Sequence, residues 1–339
     1  MDEAGRCRAC ASAELMAHYD APDTMFGSGR SFPYGECAAC GTLNLLDVPD
    51  DFSPYYPPDY LSMTVDPAAL GPATRSLVKA TSYAVLRDRT GVGRRVLGAV
   101  PVRRMRTLVT ILDSVARAPS APATMLDVGA GSGMVPLAVS LAGGIEVLGI
   151  DPFAAGDRRL GDHAELRAIG LDDVKGTFDL VSFHHSLEHV PDPLGALRTA
   201  MELLAPGGTV LVRLPTVSSF AWREYGTEWI QLDPPRHVWL PSRAGLAALA
   251  DAAGLEIVGS YDDSNEFQFW GSEQARRGVA LTDQRSQYVN ARQSSFSSHE
   301  LRAFARRARE LNDQHDGDQT VVYLRAPSGG AANASTDVR

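Results

Sequence analysis

An α/β fold preceded by a small metal-stapled module is what this sequence predicts, and three stretches predict it. Thr124 to Gly133 (T-M-L-D-V-G-A-G-S-G) reads as a short buried strand entering a tight glycine turn that opens into the apolar segment Met134 to Leu141. Phe178 to Leu214 repeats the alternation as strand, loop, helix, P-G-G and strand. The four cysteines, Cys7, Cys10, Cys37 and Cys40, form two C-x-x-C units near the start of the chain. With 339 residues, 44% of them apolar, the chain is long enough for an α/β core and something smaller beside it.

The glycine turn suits a nucleotide-type cofactor. Glycines let backbone approach a ligand without Cβ interference, and the helix N-terminus offers free N–H groups to a carboxylate or anion. An ordinary strand-to-helix loop is the alternative. A dinucleotide fingerprint would need a glycine at Met134; the chain instead has G-x-G-x-G, with Asp127 two places before the first glycine. This pattern resembles motif I of the class I S-adenosylmethionine-dependent methyltransferases, as does the second strand, Glu146 to Ile150, ending at Asp151. The acid stands roughly the 20 residues downstream that ribose recognition asks for. The Phe178 to Leu214 stretch is a second resemblance to that family. The likeness implies a Rossmann-like seven-stranded sheet with an antiparallel hairpin at one edge. It also implies cofactor contacts from Asp127, Gly129, Ala130, Gly131, Ser132, Gly133, Asp151, Pro152 and His184.

In chain order, Met1 to about Leu46 is the cysteine module. Paired C-x-x-C units in a reducing compartment read as four thiolate ligands of a structural zinc, and Gly41 permits the close turn at the second pair. A redox pair or disulfides are the alternatives. Asp47 to Tyr60, carrying Phe52, Tyr55, Tyr56 and Tyr60 among prolines, is an aromatic connector that either packs between domains or lines a cleft, so 1–60 form the first unit. A helical linker follows over 61–120. Its arginines, Arg87, Arg89, Arg94, Arg95, Arg103, Arg104 and Arg106, broken by Gly91, Gly93, Gly98 and Pro101, either form a solvated helix face or grip a phosphate. Pro119 to Pro122 marks a boundary. The cofactor domain then spans 121–326. Ala164 to Ile169 is a short third strand, Leu194 to Leu204 a helix, Gly245 to Ala253 another, and Leu255 to Ser260 and Gln319 to Arg325 are the last strands. An insertion over 262–318, with F-Q-F-W-G-S-E-Q from Phe267 and a basic helix from Glu300 to Leu311, forms a lid or an oligomer contact. The Gly/Ala/Ser-rich tail, 327–339, reads as disordered.

A net charge of −9 argues against a nucleic-acid or anionic-membrane binder, which needs a basic surface. No run of about 18 apolar residues and no signal peptide are visible, so a cytoplasmic protein acting on a small molecule is expected.

The chemistry falls to a histidine-rich loop. Three of the eight histidines lie in H-H-S-L-E-H-V-P-D-P, and His185, Glu188 and His189 would share one face if a helix began there. His237 comes from the Pro-rich stretch Asp233 to Leu240. The set is similar to that of ubiquinone-pathway and small-RNA 2′-O-methyltransferases, where E-x-x-E-H and a later histidine hold a divalent cation. His185 takes the place of the first glutamate here, and Zn²⁺, Mn²⁺ or Fe²⁺ tolerate imidazole better than Mg²⁺ does. Three roles stay open: His185 or His237 as general base, a second divalent metal, or bracing of the loop. Trp222, Tyr225, Trp229 and Trp239 either stack on a sugar or planar substrate or pack the core.

The cysteine module joined to this core resembles the zinc-containing sugar methyltransferases of bacterial glycan and natural-product pathways. The expected function is methyl transfer from S-adenosylmethionine to a nucleotide-linked or otherwise activated sugar or a natural-product intermediate. The cleft would lie between the zinc module, Trp222 to Trp239 and Phe267 to Gln274. A catalytically idle scaffold, whose zinc module recruits a protein or nucleic acid, is the alternative.

Overall fold

The computed structural model describes residues 1–2, 4–56, 66–87 and 103–327, with the backbone alone for 103–105. Tyr60, the arginines at 89, 94 and 95 with the breakers around them, the side chains of Arg103 and Arg104, and the tail from 328 lie outside the described residues.

Three strands open the chain: β1 (Leu15–Pro22), β2 (Ser31–Cys37) and β3 (Leu43–Leu45), paired antiparallel in that order. β1 alternates exposed and half-buried residues, as a strand covered on one face must. Two helices follow, α1 (Pro72–Leu86), which starts on a proline whose missing N–H would be unpaired there anyway, and α2 (Arg103–Ala116).

The central sheet is then laid down as β4 (Thr124–Val128), α3 (Met134–Leu141), β5 (Glu146–Ile150), β6 (Arg158–Gly161), β7 (Ala164–Arg167) and β8 (Phe178–His184). α4 (Pro193–Glu202) is capped by the Asp192 carboxylate, which accepts from Gly195 N. β9 (Leu204–Pro215), α5 (Phe220–Tyr225), β10 (Trp239–Leu240), the Ser242-capped α6 (Arg243–Ala252) and β11 (Glu256–Asp262) follow. α7 (Phe267–Arg276) and α8 (Ser298–Asp313) are the helices between β11 and β12 (Gln319–Arg325). α8 starts at a capping box, Ser297 with Glu300.

The sheet order is β11-β12-β9-β8-β4-β5-β7-β6. The five strands from β9 to β7 are parallel, with antiparallel pairs at both edges. This is the expected α/β methyltransferase fold with its edge hairpin, extended by β6, a short eighth strand that folds back on β7. The P-G-G stretch differs from the simple turn expected: Leu204 already pairs with Phe178, and residues 205–208 bulge out before Thr209 meets Leu180.

α1, α2 and α3 cover one face of the sheet through Val78, Leu112, Val139, Met125 and Leu211. The other face packs against α4, α6 and the N-terminal module, whose Tyr34, Leu43 and Leu45 share one apolar cluster with Val181, Phe183 and Val212. The module joins the rest through backbone as well, because β3 pairs with β10 and completes a four-stranded sheet. Among the described residues no helix is long and apolar enough to cross a membrane.

Candidate active site and four-cysteine centre

The ends of β4 and β5 bring the glycine turn and its acid together. Gly129, Gly131 and Gly133 all have positive φ, +75°, +55° and +89°. A Cβ on Gly129 would lie 2.5 Å from Ser186 Cβ, so packing as well as conformation demands glycine there, whereas at Gly133 the left-handed φ does, the nearest atom being the movable end of Leu160. The N–H groups of Gly129 and Ala130 both donate to Ile150 O, at 2.9 Å each. Asp151, at the end of β5, accepts from Gly131 N at 2.8 Å and from Phe153 N at 2.9 Å. α3 begins with no side chain capping its N-terminus, so its first N–H groups stay available to a carboxylate.

Asp127 lies buried beneath the turn and accepts from Ser182 Oγ at 2.8 Å. Burial, with a smaller contribution from Asp151, pushes its carboxyl up to about 7. Ser132 is buried and its carbonyl accepts from Arg158, whereas Pro152 is exposed. His184 ends β8 with both ring nitrogens buried and without a hydrogen-bond partner among the described residues. Burial, then Arg213 and His185, holds it neutral, well below the usual histidine range.

The loop after β8 sits against this turn, since Ser186 Oγ donates to Val128 O at 2.6 Å. His185 has φ +54° and stands upstream of a single 3₁₀ turn, Leu187–His189. The one-face α-helical arrangement of His185, Glu188 and His189 is therefore not formed, because the prolines at 191 and 193 leave room for one tight turn only. Ligand atoms of Glu188, His189 and His237 lie within 4.8 Å of one another, and the set excludes His185. His185 Nδ1 instead lies 3.2 Å from Glu188 Oε1.

Both rings in the set hold Nδ1 beside a backbone carbonyl. His237 Nδ1 lies 2.8 Å from Gln231 O and His189 Nδ1 2.9 Å from Arg236 O. A carbonyl only accepts, so Nδ1 carries a proton in each, and Nε2 is the nitrogen left able to ligate. Glu188 is fully buried and its Oε2 has no partner among the described residues. Burial pushes its carboxyl up, yet the hydrogen bond with His185 and the nearness of His185, His237 and His189 outweigh that and hold it at about 2. Burial, then His189, lowers His237 to about 4. Glu188 Oε1 lies 3.9 Å from His237 Nε2, and a buried carboxylate with one oxygen unpartnered among the described residues, grouped with two imidazoles, fits a divalent cation.

At the other centre, Cys7 and Cys40 Sγ are 3.7 Å apart and Cys10 and Cys37 Sγ 3.6 Å, all four thiols are free, and the set lies within 4.8 Å. An edge of a tetrahedron with Zn–S bonds near 2.3 Å is ~3.8 Å. Ala11 N donates to Cys7 O and Gly41 N to Cys37 O, both at 2.8 Å, which folds each C-x-x-C into a matching turn. Gly41 takes φ +73° there.

Comparison with known proteins decides the family. A model described as a methyltransferase domain matches residues 102–260. The ubiquinone biosynthesis O-methyltransferase of Pseudomonas paraeruginosa is 35% identical over 162 residues, 42% of this chain and 68% of that protein. This chain belongs to the class I methyltransferases. S-Adenosylmethionine is the cofactor of that family, and the glycine turn, Asp151 and the uncapped α3 of this methyltransferase fit it. The protein of the same name from Bordetella avium is 35% identical over 157 residues, covering 40% of this chain and 63% of that one. The chain spans 63% and 55% of the length of the first two curated relatives it matches. Among solved structures, the [4+2]-cyclase SpnF overlaps with a TM-score of 0.44 at 18% identity, over 68% of this chain and 84% of that one. The cysteine module and all of the β11–β12 insertion of this methyltransferase lie outside the matched 102–260 range.

Of the two roles expected for the downstream aromatics, core packing is the main one. Trp229 and Trp239 are fully buried, their Nε1 atoms donating to Asp318 Oδ2 and Leu187 O at 3.0 Å each. Tyr225 is buried as well, and Trp222 packs edge-on against Tyr19. Among the linker arginines, Arg87 donates to Gly143 O and Arg106 pairs with Glu266. α7 buries Phe269 and Trp270, and α8 packs against it through stacked Phe304 and Phe269. Tyr56 reaches the site: its ring stacks on Phe153, beside Asp151, and its hydroxyl lies 3.0 Å from His189 Nδ1. Arg236, fully buried beside His237, carried no signal in sequence beyond its neighbour.

Proposed function

We propose that this chain transfers the methyl group of S-adenosylmethionine to a hydroxyl oxygen of a small molecule. The convergence of Glu188, His189 and His237 beside the cofactor turn carries the reading. The cofactor supplies an electrophilic methyl on a sulfonium, so the protein must place an oxygen in line, exclude water and manage the hydroxyl proton.

Magnitudes favour a cation site over a lone base. An imidazole whose basicity is lowered to about 4 accepts a proton poorly at neutral pH, but unprotonated it ligates well. A divalent cation held by the Glu188 carboxylate and the imidazoles of His189 and His237 would supply Lewis acidity toward the substrate hydroxyl. Glu188 stays ionised, the imidazoles of His189 and His237 stand beside it, and the stacked rings of Tyr56 and Phe153 flank Asp151. The O-methyltransferase names of the relatives support oxygen as acceptor atom. Activated sugars stay first among acceptor classes because of the cysteine module, in which we infer a structural zinc; phenols related to quinone precursors come second.

Glu188→Gln keeps the shape and removes the charge. It is expected to lower methyl transfer at least 100-fold, to weaken Mn²⁺ binding measured by electron paramagnetic resonance, and to leave the calorimetric affinity for S-adenosylmethionine within threefold. A panel of nucleotide-linked sugars and catechols supplies the acceptors. Wild-type protein that does not bind S-adenosylmethionine, or a variant of full activity, would overturn the proposal.

A further inference from the structure

We infer that the four-cysteine module is the positioning scaffold of the histidine loop, with Tyr34, Asp23 and Arg236 as positioning residues that set where His237 and Glu188 stand. The inference rests on the reading above, that these groups line the methyl-transfer site. Three connections carry it.

The first is a single hydrogen bond. Tyr34 lies on β2, three residues before Cys37, is fully buried, and donates its hydroxyl to the carbonyl of His237 at 2.5 Å. The second is a buried ion-pair group. Arg236 Nε donates to Asp233 Oδ1 at 2.9 Å, while one Nη reaches Asp23 Oδ1, between β1 and β2, at 3.3 Å, and the other Tyr55 O at 3.3 Å. Its guanidinium also lies 4.8 Å from the ring centroid of Phe26, another residue of the module. A buried pair is a weak source of net stability, but its geometry admits few alternatives, which suits a registering role. The third is backbone. β3 begins just after Cys40 and pairs with β10; Leu45 N donates to Val238 O at 2.9 Å, and Val238 N donates to Glu188 O at 3.0 Å.

Three consecutive carbonyls of the loop are thereby engaged: Arg236 O by His189, His237 O by Tyr34, and Val238 O by Leu45. Two of the three donors belong to the cysteine module. The chain separation of 203 residues between Tyr34 and His237 means that only a folded module can supply that donor.

The test is Tyr34→Phe in the full chain, which keeps the ring and deletes one hydroxyl. Amide exchange read by mass spectrometry is expected to rise at least tenfold across 231–240, with 124–142 unchanged. The imidazole ¹⁵N spectrum of His237 is expected to lose its single Nδ1–H tautomer. With an acceptor from the panel, kcat falls about tenfold while KM for S-adenosylmethionine stays within twofold. Asp23→Asn, which weakens the second connection alone, is expected to move the same readouts in the same direction and serves if Tyr34→Phe does not fold. Exchange of 231–240 within twofold of wild type, or a loosened loop with unchanged kcat, would overturn the inference. The exchange and tautomer readouts need no turnover, so a wild-type protein inactive on every acceptor would sink the activity reading and leave this one standing on its own result.

Discussion

Replacing Asp127 by asparagine should stabilise the protein above neutral pH and weaken its cofactor binding. Asp127 is completely buried, with Ser182 Oγ at 2.8 Å and Asp151 nearby. Its ordinary value is 3.8 and burial raises it to about 7. The folded state therefore holds this proton more tightly than the unfolded chain. The contribution to stability is fully present below about pH 4, is lost as pH rises through about 7, and stays lost at higher pH. A gap of about three pH units at 1.36 kcal/mol each sets a ceiling of ~4 kcal/mol on the cost of ionising Asp127 in place. Asparagine is isosteric, cannot ionise and can still accept from Ser182. Urea unfolding at pH 5, 6, 7 and 8 is the assay: the variant should gain on wild type steadily with pH and level off near pH 8. A gap that stays constant or narrows toward pH 8 would refute the linkage. Calorimetry on the pH 8 samples, where the wild-type carboxylate is ionised, should show at least tenfold weaker binding of S-adenosylmethionine by the variant, since a charge facing a cationic ligand is removed, whereas at pH 5 the two proteins should bind alike.

Gly129→Ala should cost roughly 2–5 kcal/mol, from the left-handed backbone and from a Cβ driven into Ser186, and should abolish measurable cofactor binding; urea midpoints and calorimetry test it, and a variant as stable as wild type would contradict the packing described. Atomic emission should find one zinc per chain beyond any ion at Glu188, and Cys7→Ser should lower both that zinc content and the thermal midpoint. Zinc content unaffected by Cys7→Ser would move the ion elsewhere.

The cofactor half of the molecule was legible because its signals are local. Thr124–Val128, the glycine turn and α3 are contiguous, and a strand followed by glycines at positive φ says the same thing in sequence as in space. Gln319–Arg325 was read to the residue because a buried edge-pairing strand between polar segments has sharp ends. The paired C-x-x-C units were equally plain, since each spacing folds its own turn. Where the reading depended on a helix that never forms, as for His185, the following prolines decided otherwise. The aromatic segment left two roles open because alternation of Trp and Tyr looks the same in a core as along a cleft; burial distinguishes the two, and burial belongs to the assembled chain.

By itself, the sequence determined the α/β class, the glycine turn with Asp151 at the end of the next strand, and the four-cysteine cluster, all written in short-range spacing. Only the tertiary structure decided that Glu188, His189 and His237 converge without His185, and that Tyr34 and Asp23 reach across more than 200 positions to hold them. The physical reason is that spacing along a chain encodes turns and periodicity, whereas the partner of a buried carbonyl or guanidinium is whichever group the packed core leaves beside it.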